Sequence, residues 1–208
     1  MKEKPILFST PMVKAILGGR KTMTRRVVKP QPADGIENGG FYPTDENGDY
    51  SDKSKHYASR EHFLRGLPLD YCPYGMIGDR LWVRETFADT YELGDYPGEK
   101  MYKATYLQDY SGQNPLPETW DVKWKPSIFM PRWASRITLE ITNVKVERLQ
   151  DITIGDARKE GLFCEPMLED SDTIMVRHPF VTLWDSINGK KYPWSANPWV
   201  WVIEFTRI

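Results

Sequence analysis

Six basic residues and no acidic one stand between Lys14 and Lys29: Lys14, Arg20, Lys21, Arg25, Arg26 and Lys29. The chain as a whole carries a formal net charge of −1, so this run is its sharpest charge asymmetry. Arginine grips phosphate with two parallel N–H groups and stacks on flat rings. The same cations also suit a plainer role, as complements to the negative end of a helix that stops just before them. Within the run, Lys21 and Thr24 could do more. A neutral lysine can take the proton of a hydroxyl that attacks a carbonyl, as in Ser–Lys sites. Neutrality needs burial or nearby cations, and Arg20, Arg25 and Arg26 are neighbours in sequence. A solvated lysine and an ordinary strand threonine fit the same spacing. Glu160 is the candidate carboxylate. It falls at the end of a short helix, where the negative dipole end suits an acid or base, although Arg158 and Lys159 can equally screen it on a surface. Finally, Trp124 to Arg136 interleaves aromatics with Lys125, Arg132 and Arg136 around Trp133. That mixture suits stacking on a base, or equally an apolar plug with snorkelling arginines.

The elements that must hold these residues are short. Ile6–Ser9 reads as a strand. Thr10 then caps a helix that has Pro11 at its first position, an apolar stripe of Met12, Val13, Ile16 and Leu17, and a stop at Gly18-Gly19. Lys21 to Arg26 follow at once and run into a strand through Val27 and Val28. Gly78-Asp79 turns into an alternating strand from Arg80 to Phe87. Leu81, Val83 and Glu85 face one way, and Trp82, Arg84 and Thr86 the other. Arg136–Glu147 is the longest strand signal, and its apolar parity switches near Thr142-Asn143, which predicts a bulge. Thr153 and Asp156 form a capping box that opens a helix ending at Gly161. A second helix is expected from about Pro179 to Asn188-Gly189. Trp199–Ile208 reads as a half-buried terminal strand. Residues 30–76 and 89–126 are rich in Pro, Gly and polar residues and read as two insertions, the second with one strand over Met101–Tyr106.

Size and composition set limits. The 208 residues allow one core, hence a single domain over 1–208. A nearly neutral chain does not coat duplex nucleic acid, so any contact of that kind is local. Cys72 and Cys164 lack metal spacing and read as free thiols, and His56, His62 and His178 make no zinc pattern. No apolar run is long enough to span a membrane and no signal-peptide core opens the chain, which places it in the cytoplasm with no membrane partner. Short strands, short helices and no βαβ rhythm predict an α+β fold built on a small barrel.

The run from Ile16 to Arg26 resembles the signature of the ASCH (activating signal cointegrator homology) family of the PUA-like superfamily, whose pattern is G-x-K-x-x-E-x-R. Gly19, Lys21 and Arg26 match, and Thr24 replaces the Glu. Gly78-Asp79 leading into Arg80–Val83, the strand and helix from Ile137 to Leu162, and the terminal strand also fit. The resemblance covers about half of the chain. The two insertions resemble those of longer phage and prophage members. The resemblance implies a small mixed PUA-like β-barrel with flanking short helices. With threonine in the motif, it is similar to a bacterial subgroup that hydrolyses N4-acetylcytidine with a Lys–Thr–Glu set. By that resemblance Lys21, Thr24 and Glu160 are catalytic. Arg20, Arg26, Arg132 and Arg136 position the substrate, Trp82 or Trp133 offers a stacking face, and Glu85 is a reserve acid. The implied partner is a modified nucleoside or base, and the chemistry needs no metal or organic cofactor. The alternatives are a binding module for single-stranded RNA or a modified base, a ribonuclease, and a phage assembly protein.

Overall fold

The computed structural model describes residues 1–29, 31, 72–89, 100–109, 111, 121–162 and 172–208. Its centre is one mixed sheet of five strands. In spatial order they are β1 (Glu3–Leu7), β3 (Arg80–Arg84), β6 (Thr138–Arg148), β7 (Trp199–Arg207) and β2 (Met23–Val27). β1 runs parallel to β3, and the other neighbours are antiparallel. A separate ribbon pairs β4 (Phe87–Asp89) with β5 (Lys100–Tyr102). The helices are α1 (Thr10–Leu17), α2 (Tyr106–Asp109), α3 (Ile154–Lys159) and α4 (Asp172–Asn188).

The α+β class holds, but the barrel does not. β1 and β2 are the two edges of an open sheet, and neither sheet closes on itself. Pro5 sits in β1 and has no N–H to give, which fits an edge strand rather than a strand paired on both sides. The two edges meet through side chains instead. Arg26 Nη2 donates to the Leu7 carbonyl at 2.7 Å, and the Arg26 guanidinium lies 5.3 Å from the centre of the Phe8 ring. An arginine and a phenylalanine thus stand where a barrel would need backbone hydrogen bonds.

Each face of the sheet carries its own core. On one face Ile6, Leu81, Val83, Leu139, Ile141, Trp201, Ile203 and Phe205 pack under Val13 and Ile16 of α1. On the other, Met23, Val200 and Val202 pack under Ala157 of α3 and Phe180 and Trp184 of α4. β7 lies between β6 and β2 and is covered on both faces, so Trp199 to Ile203 are all buried. The half-buried strand expected here is therefore a fully buried one over its first five residues, because helices occupy both sides.

Several local expectations match. The register of β6 against β7 shifts between Ile141 and Asn143, the bulge that the parity change predicted. The Thr153–Asp156 capping box is formed in both directions. β3 buries Leu81 and Val83 on one parity, and Glu85 just after it is buried as well. Others shift. The cap of α1 is Ser9 rather than Thr10. The strand predicted over Met101–Tyr106 stops at Tyr102 and gives way to α2. α4 begins at Asp172 and carries Pro179 inside it, seven residues after its start. Proline removes only its own N–H from a helix, and here the helix continues past it. Most of the two expected insertions, together with His56, His62 and Cys164, lies outside the described residues.

Candidate functional site

Two glycines bring Lys21 and Glu160 together. Gly19, at φ 71°, turns the chain out of α1 so that Lys21 enters the sheet directly. Gly161, at φ 88°, ends the α3 segment against it. A side chain there would put its Cβ 2.8 Å from that of Ala15 and 2.9 Å from that of Lys21. Glycine is thus required for the close approach. Lys21 and Glu160 then form an isolated antiparallel bridge, and Thr22 N donates to Lys159 O at 2.8 Å.

The Lys21 ammonium is fully buried and makes three hydrogen bonds. It donates to Glu160 Oε2 at 2.6 Å, to Glu160 O at 3.0 Å and to Met23 O at 2.7 Å. It also lies 5.6 Å from the centre of the Phe8 ring. Burial pulls the Lys21 pKa below the usual lysine value. Glu160 opposes that shift, and Arg26 and Arg25 add to it.

Glu160 stands where the two faces of the sheet meet. Its other oxygen, Oε1, accepts from Arg25 Nη1 at 3.4 Å. Arg25 projects onto the α3/α4 face and is ringed by acids. Its Nη2 donates to Glu147 Oε1 at 2.6 Å and to Asp156 Oδ2 at 3.0 Å. Phe180 lies below its guanidinium at 6.0 Å. Burial alone would raise the Asp156 pKa, but Thr153 and Arg25 hold it below the ordinary carboxylate value. Charge alone did not mark Arg25 out within the basic run. Its signal was parity, since on a strand it must point away from Thr24 and Arg26.

Thr24 and Arg26 face the α1 side, opposite Ile203 and Trp201. Thr24 is buried, and among the described residues its hydroxyl has no hydrogen-bond partner, Lys21 included. The ammonium is nevertheless close by, because it holds the carbonyl of the peptide that joins Met23 to Thr24. Arg26 is half-buried, and burial pushes its pKa down. Tyr74, another residue with no sequence signal, packs beside it. Burial raises the Tyr74 pKa, and the Arg26 charge partly offsets this.

The remaining predicted residues do not join this centre. Glu85 is buried and takes two hydrogen bonds from Arg136, at 3.0 and 3.2 Å. Burial raises its pKa against the pull of Arg136. Arg136 also stacks on Tyr102 at 3.9 Å, so the two make a separate ion pair rather than a reserve acid and a free cation. Arg132 is held by Glu3 through Nε at 2.9 Å and Nη2 at 3.2 Å, near Trp82 at 6.0 Å. Trp133 is 72% exposed, with Lys100 at 4.6 Å from its ring. Arg20 is exposed and lines a different cleft, with Lys14 and Lys103.

The site therefore belongs to an α+β protein with an open mixed sheet and a buried Lys–Glu pair at the end of an edge strand. No family model, curated protein or solved structure matches the chain. Among the described residues, no helix is long and apolar enough to cross a membrane.

Proposed function

We propose that this chain is an amidohydrolase acting on an N4-acylated cytidine-type nucleoside or base through Lys21, Thr24 and Glu160. The observation that carries the reading is the buried 2.6 Å pair between Lys21 and Glu160, set against the peptide that leads into Thr24. Burial disfavours the charged form of Lys21, which favours the neutral amine that a general base requires. In the reaction, the amine turns from Met23 O to the Thr24 hydroxyl and accepts its proton as Oγ1 bonds to the acyl carbon. The C–N bond then breaks, and the proton passes from Lys21 to the departing amine. Water cleaves the resulting acyl-threonine ester by the same steps in reverse, releasing a carboxylate. The resemblance of the Gly19–Arg26 motif is what puts cytidine-type amides first among substrates.

A second reading has its own support. All three ammonium donors of Lys21 are already taken, as in a structural ion pair. A binder of a modified base without turnover would need no more.

Incubation with N4-acetylcytidine followed by chromatography separates the two. Thr24→Val is the informative variant, because the hydroxyl it removes has no hydrogen-bond partner among the described residues. Its stability should change by less than about 1 kcal/mol. Release of acetate and cytidine by the parent, absent from the folded variant, is the expected result. A parent that leaves acylated cytidines intact overturns the enzymatic reading.

A further inference from the structure

Three neighbouring cations on and before β2 meet different fates. Lys21 and Arg25 are buried and each contacts a carboxylate. Arg26 is half-buried, yet among the described residues its hydrogen bond goes to a backbone carbonyl and its guanidinium lies near the Phe8 ring. A guanidinium carries five N–H donors in a planar fork, and one carbonyl leaves most of them open. The side chain borders a cleft of about 430 Å³ along β2, which Arg25, Lys29, Tyr74, Asn188 and Tyr192 also line. Among the described residues, no carboxylate lines this cleft. Its two sides come from distant parts of the chain, Tyr74 before β3 and Asn188 at the end of α4 with Tyr192 just after it. Three cations, of which Arg25 is already held by acids, thus border the opening with two phenols and an amide, and among the described residues no acid in its lining neutralises Arg26 or Lys29.

We propose that this cleft is an anion subsite that takes a phosphate monoester, with Arg26 as its main cation and Lys29 as the second. The planar fork of Arg26 matches two phosphate oxygens, and Tyr74 and Asn188 can donate to a third. Residues two apart on a strand share a face, so Arg26 and Thr24 lie on one face of β2, although the buried Thr24 does not itself line the cleft. On the catalytic reading, the monoester that fits this subsite is a nucleoside monophosphate. The phosphate part of this inference is independent of the catalytic reading. The nucleoside part rests on it.

Titration of the purified chain with inorganic phosphate, cytidine and cytidine 5′-monophosphate, read by calorimetry at low and raised salt, tests both parts. The monophosphate should bind roughly tenfold or more tightly than cytidine, and the gain should shrink with salt. Arg26→Gln should remove that gain while leaving cytidine affinity unchanged. Arg26→Lys should keep part of it, and Arg20→Gln, outside the cleft, all of it. Circular dichroism checks that each variant is folded. Phosphate binding that is lost in Arg26→Gln, with no nucleoside affinity, keeps the anion subsite and removes its nucleoside occupant. Binding of the monophosphate without hydrolysis of N4-acetylcytidine upholds the subsite and rejects the enzyme. Equal affinity for cytidine and its monophosphate, a phosphate preference that survives Arg26→Gln, or no binding of either phosphate probe overturns the proposal.

Discussion

Arg25 and Arg26 are adjacent, identical in type and opposite in circumstance. Arg25 points into the core under α3 and α4 and meets Glu147, Asp156 and Glu160. Arg26 points to the α1 side and meets Leu7 O, the Phe8 ring and an open cleft. One is a structural ion, locked by three acids. The other keeps donors to spare. The difference comes from strand parity and from which face of the sheet supplies carboxylates.

The sharpest way to break this comparison is to remove each charge in turn. Arg25→Met removes the buried cation shared by Glu147, Asp156 and Glu160, of which Glu147 keeps Lys145 and Glu160 keeps Lys21, and should destabilise the fold by about 3 kcal/mol. Arg26→Met gives up one hydrogen bond and should cost about 1 kcal/mol or less. Urea denaturation of the two variants gives the ranking directly, and similar losses would mean that Arg26 is structural too.

Glu160→Gln comes next, at roughly 3 kcal/mol near neutral pH, because Lys21 keeps its two carbonyl acceptors. This loss should narrow as pH rises. Glu160 is what holds the Lys21 pKa up, so without it the folded value falls further below the ordinary 10.5. Between those two values the unfolded chain binds more protons, and stability therefore increases with pH up to about 10.5. Melting curves at several alkaline pH values should show the gap to the parent closing. A gap that stays constant would mean that Lys21 is not the group responsible.

A smaller effect than that of Glu160→Gln belongs to Asp156→Asn, at about 1 kcal/mol, since Arg25 retains two acids and Thr153 still caps α3. The Asp156 pKa lies below its ordinary 3.8 in the folded state. Its contribution is therefore complete above pH 3.8 and is lost as pH falls through the lower, folded value. Parent and variant should differ at neutral pH and converge in acid, as followed by denaturation across the acidic range.

Much of the local structure could be read without coordinates. The bulge in β6 shows as a parity switch, and α3 as a capping box closed by Gly161. Glu160 was legible as a helix-end carboxylate. Its partnership with Lys21, 139 positions away, was implied by the motif resemblance and is a matter of contact in the fold. Barrel closure was not legible, because pairing between first and last strands depends on sheet curvature and edge chemistry. Glu85 and Arg136 are single residues with strong chemistry, yet they satisfy each other. Isolated positions do not reveal such pairings.

By itself, the sequence determined what depends on near neighbours. That covers α1 and its glycine stop, the alternation along β3, the α3 cap, and the concentration of positive charge between Lys14 and Lys29. These follow from backbone preferences and side-chain period, which act over a few residues. Tertiary structure alone decided which of those charges is neutralised. A carboxylate 122 or 135 residues away stabilises Arg25 only because the sheet and α3 carry it within 3.4 Å. In a low-dielectric interior that distance decides whether a cation is a buried structural ion or a group left open to a ligand.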